Sequence, residues 1–408
     1  MTVTEYIKDT LIKCIRENKE DEGTLIGLPY PYTVPCIGDS FQELYYWDTY
    51  FINRGLILSG LIEQAKNNAE NMFTLIERYG FMPNGNRTYY LTRTQPPFLS
   101  EMVVDIYAET GDKAWLKRAV TYLEKEYDFW NKMRTTEMGL SQYLGHMGNF
   151  ETFDHNKGAQ AYINRVKHRP EGKTDEQLAL QMHIGCESGW DMTERFEFAA
   201  EDFAPVDLNS LLCAMERNIA YFKEELGENG SAWTARYEKR LNLMKKHMLC
   251  DGVLYDYNFK TDKIDSFFSC ANLYPMWLGL LTQEEAEKTA LQLYRLEAPY
   301  GIYAAEEVKA SPYKVQWGYP NGWAPLHLIA IEGLLNYGLK EKALEIAKKY
   351  VLLVENCFEQ YGDLWEKYNV KEGNINVISE GKIQARPMIG WSAGVYLYAK
   401  SVIDAQTA

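Results

Sequence analysis

The sequence predicts an all-α fold: a closed ring, or toroid, of helical hairpins forming one domain over residues 1–408. Three observations predict it. Apolar residues recur at helical spacing in about a dozen segments. The connections alternate between short breaks, such as Gly111-Asp112, and long stretches rich in aromatic, Gly, Pro and Asn residues. No low-complexity linker divides the chain, and no repeat of roughly 34–47 residues marks an open helical solenoid.

Residues 4–18 open the chain as a helix with an apolar face of Ile7, Leu11, Cys14 and Ile15. Further helical segments fall near 44–61, 62–79, 98–110, 113–133, 175–184, 207–226, 231–248, 270–280, 283–295, 322–337, 340–356 and 391–404. Asp207 and Thr282 read as helix starts, and Gly60 and Gly338 as helix stops. Strand-like pieces at 88–92, 253–257 and 375–379 predict short β-hairpins in the long loops. Loops of that length in a compact domain are usually functional.

Composition narrows the function. A net charge of −14 argues against nucleic acid and against an anionic membrane, both of which need a basic surface. The chain lacks the roughly 18 consecutive apolar residues of a membrane span. Residues 1–18 carry charge throughout and read as an amphipathic helix rather than a secretory leader. Seven scattered cysteines form no Cys-x-x-Cys pair and no zinc pattern, so reduced thiols in a cytoplasm are expected.

The candidate chemistry sits in the long loops. Six of the ten tryptophans, at 47, 190, 317, 323, 365 and 391, lie in or beside aromatic-carboxylate strings. Such rings stack on sugar faces while polar neighbours bind hydroxyls. Splitting a glycosidic bond takes two carboxyl groups, one to protonate the leaving oxygen and one to activate water or attack the sugar. Most of the 57 acidic residues must be solvated surface, so flanking residues discriminate. Asp191 follows Gly-Trp and Glu366 follows Leu-Trp. An apolar ring disfavours the charged carboxyl and suits a general acid, so from environment alone either residue could be the acid. Asp48 also follows a Trp and reads as a hydroxyl-binding carboxylate. Arg93 and Arg169 offer directed donors for sugar hydroxyls. Asn84, Gln95 and Glu171 are polar groups of the same loops. His183 and His327 read as packed core residues, and Asn84-Gly85-Asn86 as a turn rather than a phosphate cradle. A sugar isomerase or epimerase on a helical barrel would favour histidine bases, against the six unclustered histidines. A non-catalytic sugar binder would not need both carboxyls.

The strings resemble the trehalase family of glycoside hydrolases in collinear order over roughly residues 30–400. Residues 41–50 read Phe-x-Glu-x-Tyr-x-Trp-Asp-x-Tyr, 89–97 Tyr-Tyr-Leu-x-Arg-x-Gln-Pro-Pro, 169–171 Arg-Pro-Glu, 187–191 Glu-Ser-Gly-Trp-Asp, and 316–325 is close to Gln-Trp-Asp-x-Pro-x-Gly-Trp-Ala-Pro. The resemblance implies an (α/α)6 barrel and an inverting mechanism on trehalose or a related small α-glucoside, with Asp191 as general acid and Glu366 as general base. It implies substrate contacts from Phe41, Trp47, Asp48, Asn84, Arg93, Gln95, Arg169, Glu171 and Trp317, and no metal or organic cofactor. The chain departs from the family pattern at Ser40, where an Arg is expected, and at Gly318, where an Asp is expected. Glu380 stands near the family's late glutamate, and 22 residues separate Arg169 from Asp191. These departures leave room for another α-glucoside, an α-mannoside or a glycosylated small acid.

Overall fold

The computed structural model describes residues 1–147, 154–378 and 384–407. Fourteen α-helices lie among them. Six form an inner ring: α2 (Tyr46–Leu58), α4 (Leu99–Thr110), α8 (Val206–Glu225), the short α10 (Tyr274–Trp277), α12 (Ala324–Asn336) and α14 (Gly390–Thr407). Each packs on the next, and α14 packs back on α2, which closes the ring. Six more lie outside: α1 (Val3–Leu11), α3 (Ile62–Tyr79), α5 (Lys113–Met133), α9 (Ser231–Met248), α11 (Gln283–Leu291) and α13 (Lys340–Tyr361). This is the (α/α)6 barrel. An additional hairpin, α6 (His155–Val166) and α7 (Asp175–Ser188), is inserted between α5 and α8.

Composition sorts the two layers. The inner α12 is apolar nearly all round, as a helix covered on every side must be, whereas α3 and α5 carry one apolar stripe and a charged outer face. The seam between α2 and α14 is a backbone contact. A Cβ at Gly394 would lie 1.9 Å from the Phe51 carbonyl oxygen, and one at Gly55 would lie 2.8 Å from the Gly394 Cα. One buried apolar cluster runs from Val3 to Ala399. No helix among the described residues is long and apolar enough to cross a membrane.

Most predicted helices stand, several to the residue at 62–79, 113–133 and 231–248. Thr282 starts α11 through a capping box with Glu285, and Gly60 and Gly338 adopt positive φ after α2 and α12. The differences have local causes. The first helix stops at Leu11 because Ile12–Cys14 tighten into a 3-10 turn and Ile15–Arg16 pair with Tyr32–Thr33. Helix α8 begins at Val206, and Asp207 pairs with Arg195 instead of capping. Residues 88–90 are a 3-10 turn, and 375–378 contain no strand. The 253–257 piece is the ends of two hairpin strands, Val253–Leu254 and Tyr257–Asn258. Helix α6 was unforeseen: its only buried residues are Ala159, Tyr162 and Val166, a thin stripe behind the Asp154 cap.

Candidate active site

Asp191 is delivered by the end of α7. Gly189 caps that helix at φ 75°, and a Cβ there would lie 2.9 Å from the Trp47 indole. Both the left-handed backbone and the close approach require glycine. Trp190 drops into the core, with the Arg195 guanidinium 4.6 Å from its ring centre. The segment is clamped at both ends by buried ion pairs. Before Asp191, Glu187 accepts from Arg134 Nη2 at 2.7 Å and from the backbone N–H of Leu144 at 2.7 Å, Gly145 at 2.6 Å and Thr94 at 3.3 Å. After it, Arg195 donates to Asp207 at 3.0 and 3.2 Å and to Asp256 at 2.9 and 3.0 Å.

Glu366 comes from the loop after α13. Its N–H donates to the Arg386 carbonyl at 2.9 Å, and its carbonyl accepts from Trp391 Nε1 at 2.8 Å. The chain then enters a strand, Lys367–Asn369, antiparallel to Asn321–Trp323 with Trp323 opposite Lys367. That pairing sets the Gln316–Trp317 string beside Glu366. Gln316 Nε2 donates to Asp191 Oδ2 at 2.8 Å, and Trp317 Nε1 donates to Asp191 Oδ1 at 3.1 Å. The tryptophan bonded to Asp191 is thus Trp317, through its N–H. Lys367 Nζ donates to Gln316 Oε1 at 3.1 Å and to Glu366 Oε2 at 2.6 Å.

Asp191 and Glu366 line one cleft of about 330 Å³, and Phe41, Trp47, Asp48, Asn84, Arg93, Gln95 and Trp317 line it with them. Trp317 stacks on Trp323 at 3.7 Å, and Trp47, Trp190 and Trp391 pack around that pair. Arg93 Nε donates to Asn84 Oδ1 at 3.0 Å, with its guanidinium 5.3 Å from the Tyr90 ring centre. The Trp47 backbone N–H donates to Gln95 Oε1 at 3.4 Å. Burial, with the Glu366 charge as a lesser cause, pushes the Asp48 carboxyl up to about 7. At neutral pH this carboxyl is therefore poised between donating and accepting a hydrogen bond.

Arg169 and Glu171 are not brought to the cleft. Lys167 ends α6 at φ 63°, and the following turn is exposed. Arg169 pairs there with Asp175 at 2.8 Å and with the Lys173 carbonyl at 2.9 Å, while Glu171 faces solvent. The 22-residue spacing explains the displacement: α7 takes up most of it and, at about 1.5 Å per residue, carries the chain roughly 20 Å from that turn to Gly189. Arg165, one turn earlier on α6, lines the cleft instead. A Cβ at Gly318 would lie 2.7 Å from Val315 Cγ2 and 3.9 Å from Glu194 Oε2, so the aspartate of the family pattern would be crowded and would meet a like charge. Glu380 lies outside the described residues.

Sequence reasoning passed over Gln316, Lys367, Arg165, Arg386 and the tyrosines 45 and 90. Gln316 stood inside a quoted string, next to Trp317. Lys367 carried no signal, because a lysine beside a carboxylate ordinarily reads as solvated surface. His327 is core: its Nε2 accepts from the Ile302 N–H at 3.0 Å, its Nδ1 bonds the Trp323 carbonyl at 2.8 Å, and burial pushes it down to about 4. His183 is also pushed down to about 4, by burial and then by the Arg93 charge. Among the described residues no three His, Cys, Asp or Glu side chains are grouped to hold a metal ion.

A barrel of six helical hairpins, with two carboxyls lining one aromatic-walled cleft, defines the class of helical-barrel glycoside hydrolases. The sequence model described as trehalase matches residues 2–403. The periplasmic trehalase of Pseudomonas aeruginosa is 34% identical over 403 residues, covering 92% of this chain and 71% of its own. That of Escherichia coli is 32% identical, with 93% and 70% covered. Among solved structures, neutral trehalase Nth1 from Saccharomyces cerevisiae superposes with a TM-score of 0.78 at 30% identity, covering all of this chain and 81% of that one. A mannosylglycerate hydrolase from Thermus thermophilus shares the fold, with a TM-score of 0.66 at 15% identity over 98% of this chain and all of its own. The chain belongs to the trehalase family and is a glycoside hydrolase. The cytoplasmic expectation is overturned, because the relatives from Pseudomonas, Xanthomonas and Escherichia are named periplasmic trehalases. The thiols could not have told the compartments apart: none of the seven is in a disulfide, and five are buried in the core.

Proposed function

We propose that this chain hydrolyses trehalose with inversion in a single domain, with Asp191 as general acid and Glu366 as general base. One observation carries the reading: these two carboxyls line the same cleft and are joined across its wall by Gln316 and Lys367. Asp191 protonates the bridging oxygen. The donors on both its oxygens then stabilise the carboxylate left behind. Glu366 takes a proton from a water that attacks the anomeric carbon from the opposite face. Asp48, Asn84, Arg93 and Gln95 bind the hydroxyls of the sugar being cleaved, and Phe41, Trp47 and Trp317 supply its apolar wall. Arg165 takes the cationic place expected of Arg169. The names of the relatives point to the periplasm as the compartment.

Trehalose joins two α-anomeric centres, so inversion releases one α- and one β-glucose, while retention releases two α. Proton NMR of the first minutes of turnover reads this directly. Equal α and β signals from the wild type, and none from D191N or E366Q, support the reading; α-glucose alone sinks inversion.

A second cavity of about 350 Å³ adjoins the cleft through Arg386 and Met388 and is lined by Asp39 and Ser40. It favours a second reading, in which the leaving group is larger than glucose. A panel of α-glucosides and α-mannosides with longer aglycones decides: faster cleavage than of trehalose selects it.

A further inference from the structure

We propose that Lys367 and Gln316 are positioning residues for the reaction, a hydrogen-bonded bridge that fixes the orientation of the acid and the base together. The inference rests on Asp191 and Glu366 being that pair.

The bridge follows from what each group can do. A lysine ammonium has only donors. Lys367 is fully buried, with one N–H on Glu366 Oε2 at 2.6 Å, another on Gln316 Oε1 at 3.1 Å, and the Trp323 ring centre 4.4 Å away. A buried ammonium is costly unless paired, so it holds the Glu366 carboxylate in one place. Because it only donates, it also dictates which end of the Gln316 amide it meets. The oxygen must face Lys367, and the NH₂ must then face Asp191, where it donates to Oδ2 at 2.8 Å. Without the lysine the amide would be free to turn over and present its oxygen to the acid. Gln316 cannot shift to escape, since its carbonyl accepts from Asn321 Nδ2 and Trp323 Nε1, both at 3.0 Å. Trp317 Nε1 occupies the other oxygen of Asp191. Trp323 in turn lies opposite Lys367 in the strand pair, so the bridge is held in register by backbone pairing.

Lys367 does not itself line the cleft, whereas Glu366 and Gln316 do. The charged groups facing the base are Asp48 and Asp191 on the acidic side, and Arg93, Arg165 and Arg386 as cleft cations, with Lys367 bonded to it from the wall. His183, beside Arg93, is neutral above about pH 4. Removing the lysine charge leaves Glu366 facing Asp48 without the cation bonded to it.

Two substitutions separate the ends of the bridge. K367M removes the charge at nearly equal length; kcat on trehalose should fall roughly 10²-fold with KM within about threefold, because the loss is in the reacting geometry. The acidic limb of its kcat/KM profile should move to higher pH, because the base loses its bonded cation. Q316E keeps an acceptor for Lys367 and turns the donor to Asp191 into a like charge. Its alkaline limb, which reports the acid, should move to higher pH. α-Glucosyl fluoride, whose leaving group needs no proton, should be cleaved by Q316E almost as well as by wild type and by K367M poorly. K367R should recover part of the K367M loss. Wild-type kcat and unmoved limbs in folded K367M and Q316E overturn the proposal. Should K367M fail to fold by circular dichroism, K367R and Q316E decide by the same limbs and the fluoride ratio. If D191N or E366Q retains turnover, the pair itself is misassigned, a result distinct from failure of the bridge.

Discussion

Glu187→Gln tests whether the segment carrying Asp191 is held as the structure implies. The carboxylate accepts from Arg134 on both oxygens, most closely on Oε1 at 2.7 Å, and from the Leu144 and Gly145 N–H groups on Oε2. A glutamine amide must turn its NH₂ towards one of these sets, donor against donor, and it removes the counter-charge of a guanidinium whose side chain is 1% exposed. Breaking a buried pair from one side costs about 3–5 kcal/mol. At roughly 2.1 cal/mol/K per residue, a chain of this length unfolds with an entropy near 0.9 kcal/mol/K, so the melting temperature should fall by about 4–6 °C. The reverse substitution should cost less. In Arg134→Met the carboxylate keeps three backbone donors, whereas in E187Q the guanidinium keeps only neutral partners such as the Met133 and His146 carbonyls, each at 3.2 Å. Calorimetry of both variants and of E187Q/R134M completes a double-mutant cycle. An E187Q cost under about 1 kcal/mol, or a larger cost for R134M than for E187Q, refutes the reasoning.

Gly189→Ala drives a methyl into the Trp47 indole at φ 75° and should lower kcat by at least about tenfold with the barrel still folded; kinetics with circular dichroism checks it. Asp48→Asn should raise stability while lowering activity, because it removes a buried charge. The folded carboxyl, near 7, holds a proton that the unfolded chain releases near 3.8, so its contribution is full below about pH 4 and lost as pH rises to about 7. The advantage of D48N in urea should therefore grow from pH 4 to 7, reach roughly 2–4 kcal/mol, and stay level above; an advantage independent of pH rejects this. Gly394→Ala should destabilise by about 1–3 kcal/mol by forcing apart the seam where α14 meets α2, read as a lower urea midpoint.

The ring was legible because its signal is periodic and redundant. Outer helices such as 62–79 and 113–133 show one apolar stripe and end at glycine or a charged turn, so their limits could be read directly. Segment 270–280 was read as one helix because a 3-10 turn at Cys270–Leu273 has the same short-range apolar pattern as the α-helix it leads into. Asp191, Glu366 and the Trp47-Asp48 pair could be found because each sits beside a tryptophan. The bridge could not. Lys367 differs from a surface lysine only by what surrounds it, and Trp323 reaches it through strand pairing across 44 positions, which no local pattern records. Arg169 was misplaced for the converse reason: its motif was present, but the length of α7 decided where it stands.

Placing the bonded cation in the wall has a physical consequence for catalysis. Three carboxyls, Asp48, Asp191 and Glu366, share one cleft, where like charges repel one another. The cleft cations Arg93, Arg165 and Arg386 counter this in part, but they stand where solvent ions screen them. Lys367, fully buried, meets a largely buried Glu366, where its charge is less screened than in the open cleft. The cleft keeps its volume for sugar and water, while the acid receives only a neutral amide and an indole N–H. On the proposed assignment, Glu366 and Asp191 thus draw different support from one bridge: a full charge at the proposed base, and neutral dipoles at the proposed acid.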